Sequence, residues 1–403
     1  MPVLFEPSRH ESLAGAAWDE RVARDAIERI VEDTLARGTP HTLWPVHPLD
    51  NEHGDSRAPI TGLDIGAAGV VWALDRLARA GATRQRIDLR AGLEDLAARN
   101  VAQVRPLGYG VESYLIGRAG VLLTQFRVAP DPAVADHLAS SIAANADHPS
   151  RELQWGAPGT MHAAVEMYER TGETRWRDLF RASAAALAAS LTAISGTQWS
   201  MWTQDLYGQK VHYLGAGHGF VGNAGALARG SALLEPDEWQ WWREHIVATV
   251  TANIVRDGSR ANWPGWYAPT GNRRFFVQWC HGAPGFVVAL ATIDDVRLDP
   301  ILDAAGELIW AAGPLVKGAG LCHGTAGNGY AFLKMYARTG DKRWLERARA
   351  FAMHAIAQSD AHAAQYGMRR HSLWTGDPGL ALYLWSCITA TAAWPTLDPD
   401  GPA

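Results

Sequence analysis

Apolar residues recur at helical spacing in two neighbouring segments in the last quarter of this 403-residue chain. After Gly324, residues 330–338 are good helix formers with apolar positions on one side. The second segment, 344–357, has an apolar face made of Trp344, Ala348, Phe351 and Ala352. Gly340 lies between them and suits the left-handed residue that follows a helix end. The pattern predicts a helical hairpin, one unit of about 50 residues.

The same hairpin pattern occurs 168 residues earlier. Residues 167–172 and 335–340 read Met-Tyr-x-Arg-Thr-Gly in both places. Trp176 and Trp344 keep the offset, and an alanine-rich run at 182–189 falls in the second helix of the earlier copy. These matches indicate a structural repeat.

A Gly-x-x-Gly motif precedes each predicted hairpin and occurs seven times. The first glycines of the motifs are Gly66, Gly117, Gly156, Gly219, Gly282, Gly324 and Gly376. Strand signals are almost absent, so the fold class is predicted to be all-α. Seven hairpins stack as an open solenoid or close into an α/α toroid, a double-layered helical barrel, and we favour the toroid. A multi-domain α protein is the alternative, although no Pro/Ser-rich linker divides the chain.

The expected organisation is one domain, 1–403. Residues 1–60 are predicted to form a cap, and the repeats to span about 61–395. The segments 195–215 and 257–275 are the least regular and are predicted to be loops.

Composition narrows the class of protein. With 47% apolar and 20% charged residues, the chain is not a disordered protein. Its net charge of −5 and the lack of a basic tract argue against nucleic-acid binding. It shows neither a secretory signal nor a run of the roughly 20 apolar residues that span a bilayer. We therefore expect a cytoplasmic protein without an integral membrane segment.

Two of the three cysteines stand in the same setting, Cys-His-Gly, directly before a glycine motif. They are Cys280 and Cys322, followed by His281 and His323. Two thiolates and one imidazole suit Zn²⁺ and leave a fourth position open. The alternative is a pair of buried structural thiols. Cys387 lacks this setting and is expected in the core.

Two further residues are candidates for proton transfer. His218 stands in Gly-His-Gly, at the repeat position of the other two histidines but without a cysteine beside it. This favours a general acid or base over a metal ligand, with a hydrogen-bonded structural histidine as the alternative. Glu152, four residues before Gly156, either shares the same cavity or is a surface carboxylate.

Three motifs together resemble those of lanthionine synthetase C and LanC-like proteins. They are Trp-Cys-His-Gly-Ala-Pro-Gly (279–285), Leu-Cys-His-Gly-Thr-Ala-Gly-Asn (321–328) and Tyr-Leu-Gly-Ala-Gly-His-Gly (213–219). The resemblance extends over essentially the whole chain. It implies a seven-hairpin toroid holding one zinc ion, with Cys280, Cys322 and His323 as ligands. It also implies that His218 is the catalytic histidine and Glu152 the active-site acid.

Two departures from the lantibiotic cyclases point to the stand-alone LanC-like branch. His281 stands where those cyclases usually have tyrosine, and Glu152 where they have aspartate. The resemblance implies glutathione as a partner, and its addition to dehydroamino acids in proteins. His281 is then a second candidate for the proton step.

The expected function is a zinc-dependent activation of a thiol, from glutathione or a peptide cysteine, for addition to dehydroalanine or dehydrobutyrine. Lys317, Arg370 and Arg118 are candidates for binding the carboxylates of glutathione, or else plain surface charges. Trp279, with Trp155 and Trp374, is expected to shape the pocket. A cyclase for a dedicated precursor peptide, a non-catalytic zinc or glutathione-binding module and a toroidal glycosidase are the alternatives.

Overall fold

Fourteen α-helices account for most of the residues that the structure describes. The computed structural model describes residues 3–51, 58–108, 110–197, 199–268 and 273–399. In these residues the helices are α1 (Glu20–Arg37), α2 (Ala67–Arg79), α3 (Leu96–Val104), α4 (Arg118–Val128), α5 (Pro132–Asn145), α6 (Ala157–Thr171), α7 (Thr174–Ala189), α8 (Phe220–Arg229), α9 (Pro236–Asn253), α10 (Ala283–Leu290), α11 (Asp299–Ala312), α12 (Thr325–Thr339), α13 (Lys342–Tyr366) and α14 (Asp377–Thr389).

The helices form two concentric layers. Each even-numbered helix contacts the next even-numbered helix, and α14 contacts α2, so these seven close into an inner ring. The odd-numbered helices pack outside the ring and bury only one face. The predicted all-α toroid is therefore confirmed.

The two ends of the chain meet in the outer layer. Helix α1 packs against α14 and also contacts α13. The segment 1–60, predicted to be a cap, thus contains an outer helix that completes the last hairpin. This helix has no glycine motif before it, because only inner helices begin at such a motif.

The first glycine of every motif is the N-cap residue of an inner helix. The second glycine explains why the motif recurs unchanged. In all seven copies a Cβ atom there would clash with the carbonyl oxygen of the residue six positions earlier. Only glycine lets the incoming loop and the helix approach this closely.

The copies 168 residues apart agree in detail. Helices α6 and α12 have 15 residues each and end at Gly172 and Gly340, with φ of 68° and 70°. The left-handed conformation predicted for Gly340 is confirmed. Trp176 and Trp344 are both fully buried.

Four short antiparallel strand pairs interrupt the helices in the described residues. They are β1 (Thr192–Ala193) with β2 (Ser200–Met201), β3 (Gln204–Leu206) with β4 (Gln209–Val211), β5 (Val255–Asp257) with β6 (Arg260–Asn262), and β7 (Val277–Gln278) with β8 (His281–Gly282). Most lie in or beside the segments predicted to be loops. The β7–β8 hairpin pairs Gln278 with His281 and holds Trp279 and Cys280 in its turn.

Candidate active site

A cavity of about 410 Å³ opens at the end of the ring where the inner helices begin. One repeat position lines it in every copy, the residue two places before the first motif glycine. These seven residues are Asp64, Leu115, Gln154, Gly217, Cys280, Cys322 and Trp374. We call them the rim residues. The sevenfold repeat therefore gathers residues that are far apart in sequence around one cavity.

A chain of backbone hydrogen bonds fixes most of the rim. In each bond the N–H of one rim residue donates to the carbonyl of the rim residue in the next repeat. The bonds run from Gly217 to Cys280 (3.1 Å), Cys280 to Cys322 (3.1 Å), Cys322 to Trp374 (2.7 Å), Trp374 to Asp64 (2.9 Å) and Asp64 to Leu115 (3.1 Å). The positions of Cys280 and Cys322 are thus set by backbone geometry.

Three soft donors meet at this rim. The sulfur atoms of Cys280 and Cys322 and one ring nitrogen of His323 all lie within 4.8 Å of one another. Cys280 is buried and the other two are half-buried. Two thiolates and one imidazole are the donor types that zinc prefers, and three protein ligands leave a position open. Cys387 lies elsewhere, buried in the core, and burial raises the pKa of its thiol to about 12.

The sulfur of Cys280 is prepared to carry negative charge. A hydrogen bond from the Cys322 thiol holds the pKa of Cys280 well below its usual range, against the opposing effect of burial, and His323 acts in the same direction. The side chain of Gln278 donates from Nε2 to the Cys280 sulfur at 3.0 Å. Arg9 in turn donates to Oε1 of Gln278 at 3.0 Å. Such partners around a ligand orient it and tune its charge.

Glu152 and His218 form an acid–base pair beside these donors. Nδ1 of His218 lies 2.9 Å from Oε2 of Glu152, whose side chain is fully buried. The backbone amides of Gln154 and Trp155 donate to the same carboxylate, at 3.0 and 2.7 Å. Burial alone lowers the pKa of His218, but the hydrogen bond and charge of Glu152 outweigh it and raise the pKa above its ordinary value. The contact leaves Nε2 as the nitrogen for a substrate.

Glu152 also replaces the rim hydrogen bond between the third and fourth repeats. The amide of the rim residue Gln154 donates to Glu152 instead of to the neighbouring rim residue. The carboxylate then bridges the third and fourth repeats through His218.

His281 lies behind His218, outside the residues that line the cavity. The two ring centroids are 6.0 Å apart. Burial lowers the pKa of His281, with the charge of Cys280 opposing the shift. Its Nδ1 is buried without a hydrogen-bond partner in the described part of the chain. This position makes His218 the better placed of the two histidines.

The structure places some of the residues predicted to bind substrate at the cavity and others away from it. Trp279 and Trp374 line the cavity, with their ring centroids 4.6 Å apart. Arg370 also lines it, but its guanidinium is paired with Asp50. Lys317 lines a smaller neighbouring pocket.

Arg118 stands at the first turn of α4, outside the cavity lining. Its side chain is paired with Glu112 and also donates to Ser141 at 3.0 Å. These contacts tie the loop before α4 to α5, which is a structural role.

Sequence reasoning missed three residues of the site. Asp64 lines the cavity as a rim residue, and burial raises the pKa of its carboxyl to about 7. Gln278 contacts the Cys280 sulfur, and Tyr207 at the tip of the β3–β4 hairpin lines the cavity with 62% of its surface exposed. Aligning the seven motifs at the rim position finds Asp64, and the position two residues earlier finds Gln278. Tyr207 lies outside the repeats and carries no such signal.

Comparison with known proteins identifies the family of the chain. The family model described as lanthionine synthetase C-like protein matches residues 49–398. The chain belongs to the lanthionine synthetase C-like family. The resemblance stated from the motifs is confirmed.

Two relatives match over parts of the chain. The Danio rerio protein named glutathione S-transferase LANCL1 is 38% identical over 179 residues, which are 42% of this chain and 40% of that protein. The LanC-like protein GCL1 of Arabidopsis thaliana is 47% identical over 83 residues, 19% of each chain. The matched parts therefore span less than half of either relative.

The fold of this family member is also that of nisin cyclase. The two structures superpose with a TM-score of 0.60 over 91% of this chain and 93% of the cyclase, at 14% sequence identity. In the described ranges no helix is both long and apolar enough to cross a membrane.

Proposed function

We propose that this chain is a zinc-dependent enzyme that adds the thiol of glutathione to dehydroalanine or dehydrobutyrine residues, forming a thioether. The observation that carries the proposal is one cavity lined both by the donor group of Cys280, Cys322 and His323 and by His218, which Glu152 supports from behind the lining. The first provides a metal site and the second a proton carrier. The addition needs both.

The donor set fits zinc. Its two sulfurs and one imidazole are close enough to bind a single ion, and Gln278 supports one sulfur from outside. A zinc ion held there supplies a Lewis acid that lowers the pKa of an incoming thiol, so that a thiolate exists at neutral pH.

His218 accounts for the movement of the proton. At Nε2 it takes the proton of the thiol, and the Glu152 carboxylate stabilises the imidazolium that forms. The sulfur forms a bond to the β-carbon of the dehydroamino acid while the C=C π pair moves towards the α-carbon and its carbonyl. His218 then returns the proton to the α-carbon. The net reaction adds S–H across the double bond, with no external oxidant or reductant.

The choice of glutathione rests on the relative named a glutathione S-transferase and on His281 in place of tyrosine. Ring closure within a precursor peptide uses the same bond-forming step. Glutathione addition and ring closure within a peptide are therefore tested as separate arms of one experiment.

The test incubates the purified protein with glutathione and a peptide containing dehydroalanine, and measures the thioether product by mass spectrometry. We expect a mass gain of one glutathione, faster than the uncatalysed reaction. We expect no such gain with Cys280→Ala or His218→Ala. Cys387→Ala and His137→Ala are the matched controls, because Cys387 lies in the core and His137 is exposed on α5.

Two results would overturn this assignment. A wild-type rate equal to the uncatalysed rate rejects an enzyme and leaves a binding module. Product formed only from a peptide carrying its own cysteine, without glutathione, assigns a cyclase.

The same proposal bears on organisation and location. The contact between α1 and α14 supports one domain spanning residues 1–403. Two cysteines kept out of a disulfide and a thiol substrate suit a reducing compartment, which supports a cytoplasmic location.

A further inference from the structure

Asp64 occupies the rim position in the first repeat. In the fifth and sixth repeats this position holds Cys280 and Cys322. The backbone of Asp64 is fixed by hydrogen bonds on both sides, to Leu115 and from Trp374. Its carboxyl group thus has a fixed place in the cavity wall. The proposed reaction gives it no role.

The Asp64 carboxyl lacks the cation that a buried acid usually has. Among the described residues no arginine, lysine or histidine forms an ion pair with it; its partners are the Ile65 amide, at 2.7 Å, and the side chain of Gln154. The carboxylate of Asp50, on the same wall of the cavity, does have a cationic partner. It pairs with Arg370 and accepts a hydrogen bond from Thr375 at 2.7 Å.

The described lining of the cavity therefore has a buried carboxyl group without a cationic partner and no uncompensated arginine or lysine. Arg370 is the one arginine or lysine among these described residues, and Asp50 neutralises it. A buried carboxylate without a cationic partner is strongly stabilised by a cation that enters with a ligand. A ligand ammonium group matches this wall better than a carboxylate does.

The order of the repeats indicates which of the two substrates, the thiol or the alkene, carries the ammonium group. His218 belongs to the fourth repeat, next to Cys280 in the fifth. Around the closed ring Asp64 lies two repeats from Cys322, through Trp374, and three repeats from His218. The alkene has to lie near His218, because the proton reaches its α-carbon from there. The rest of the thiol substrate then extends towards Asp64.

We propose that Asp64, together with Gln154, binds the ammonium group of the thiol substrate and so selects amine-bearing thiols. For glutathione this is the α-ammonium of the γ-glutamyl residue. The inference rests on the proposed function and adds a specificity-determining residue to it.

The experiment compares glutathione with the analogue in which the γ-glutamyl α-amino group is replaced by hydrogen. The two thiols have similar intrinsic reactivity, since the amino group is remote from the sulfur. For the wild type we expect kcat/KM to be about tenfold higher with glutathione, as for a hydrogen bond to a charged group. Asp64→Asn should reduce that preference to below about twofold.

Asp178→Asn is the matched control. It makes the same substitution on the outer surface, where the Asp178 side chain is 62% exposed, and should keep the wild-type preference. Dissociation constants of both thiols, from the fluorescence of the chain's tryptophans, give a readout that does not depend on turnover. They should show the same ratio.

The outcomes separate this inference from the proposed function. An active Asp64→Asn that keeps the full preference for glutathione overturns the inference and leaves the enzyme assignment standing. An inactive wild type overturns the enzyme assignment, and equal wild-type dissociation constants for the two thiols then overturn the inference as well. If Asp64→Asn does not fold, the wild-type constants decide alone: a tenfold difference supports the ammonium site, and equal values reject it.

Discussion

The third and sixth repeats share one scaffold and have different chemistry. Their inner helices, α6 and α12, have the same length and end at glycines in the same conformation. Trp176 and Trp344 are buried at matching places in their outer helices. The loops before the helices differ. The sixth repeat places Cys322 and His323 at the cavity, and the third places Gln154 there with Glu152 behind it.

The difference shows which positions determine which property. Residues inside the helices, with the two motif glycines, set the toroid. The four residues before each first glycine set the chemistry, because they form the rim and its immediate support. The fourth of them, counting back from the glycine, is Glu152 in the third repeat and Gln278 in the fifth. One position thus holds the partner of the proposed proton carrier in one repeat and the partner of a proposed metal ligand in another.

Substituting alanine for a rim residue that is a proposed metal ligand should have the largest effect on the reaction rate. Cys322→Ala removes a metal ligand, and we expect the rate to fall on the order of a thousandfold or more, since a catalytic metal contributes several kcal/mol. Gln154→Ala changes the same position in the third repeat and should keep its zinc. Elemental analysis with the thioether assay checks both. Equal loss of zinc in the two variants contradicts the division between the repeats.

Glu152→Gln should reduce kcat about a hundredfold, because the imidazolium of His218 loses its carboxylate partner. Glu152 raises the pKa of His218, whereas burial lowers it, so the variant should have the lower pKa. His218 must be unprotonated to take the proton of the thiol, so activity falls as pH drops through this pKa. The lower pKa should therefore move the acid limb of the pH–rate profile to lower pH in Glu152→Gln. A pH–rate profile with an unchanged acid limb is the opposing result.

Gln278→Leu tests the same repeat position on the metal side. It removes the N–H···S contact to Cys280 without altering a ligand. Loss of such an outer partner typically weakens metal binding about 10- to 100-fold. Competition with a chromophoric chelator measures the zinc affinity, and cobalt substitution reports the sulfur-to-metal absorption band. Asn328→Leu, whose side chain bonds the backbone of Val277 and not the sulfur, is the control, and an identical effect of the two would assign Gln278 a merely structural role.

Substitutions of the buried tryptophans in the outer helices should change the zinc content and kcat least. Trp176→Ala and Trp344→Ala each remove a fully buried indole, which costs about 3 to 5 kcal/mol of unfolding free energy. Below the unfolding transition the zinc content and kcat should stay near the wild-type values. Thermal melting gives the stabilities. A selective loss of zinc in Trp344→Ala would mean that the sixth repeat's helices also shape its site.

The division between positions that determine the toroid and positions that determine the site could largely be predicted from the sequence. Every glycine motif begins an inner helix, since the close contact at its second glycine leaves no room for a Cβ atom. The two Cys-His-Gly motifs and His218 follow from the same alignment. The structure brings Cys280, Cys322, His323 and His218 to one cavity and leaves His281 outside its lining. Helix α1 could not be found this way, because outer helices lack the motif.

The pairing of charged side chains was the other feature that could not be predicted from the sequence. Arg370 and Arg118 have the charge that a carboxylate ligand needs, but both are engaged by acidic partners. The partner of Arg370 is Asp50, 320 positions away in sequence, and spacing gives no sign of it. Local sequence identifies which residues reach a cavity far better than whether their charge is available there.

The zinc content of the purified wild-type chain tests the central claim most directly. Elemental analysis after exhaustive dialysis should find one zinc ion per chain, as expected for a site with two thiolates and one imidazole. The double variant Cys280→Ala/Cys322→Ala should retain none. A wild-type chain without stoichiometric zinc, or a double variant that keeps it, would contradict the account.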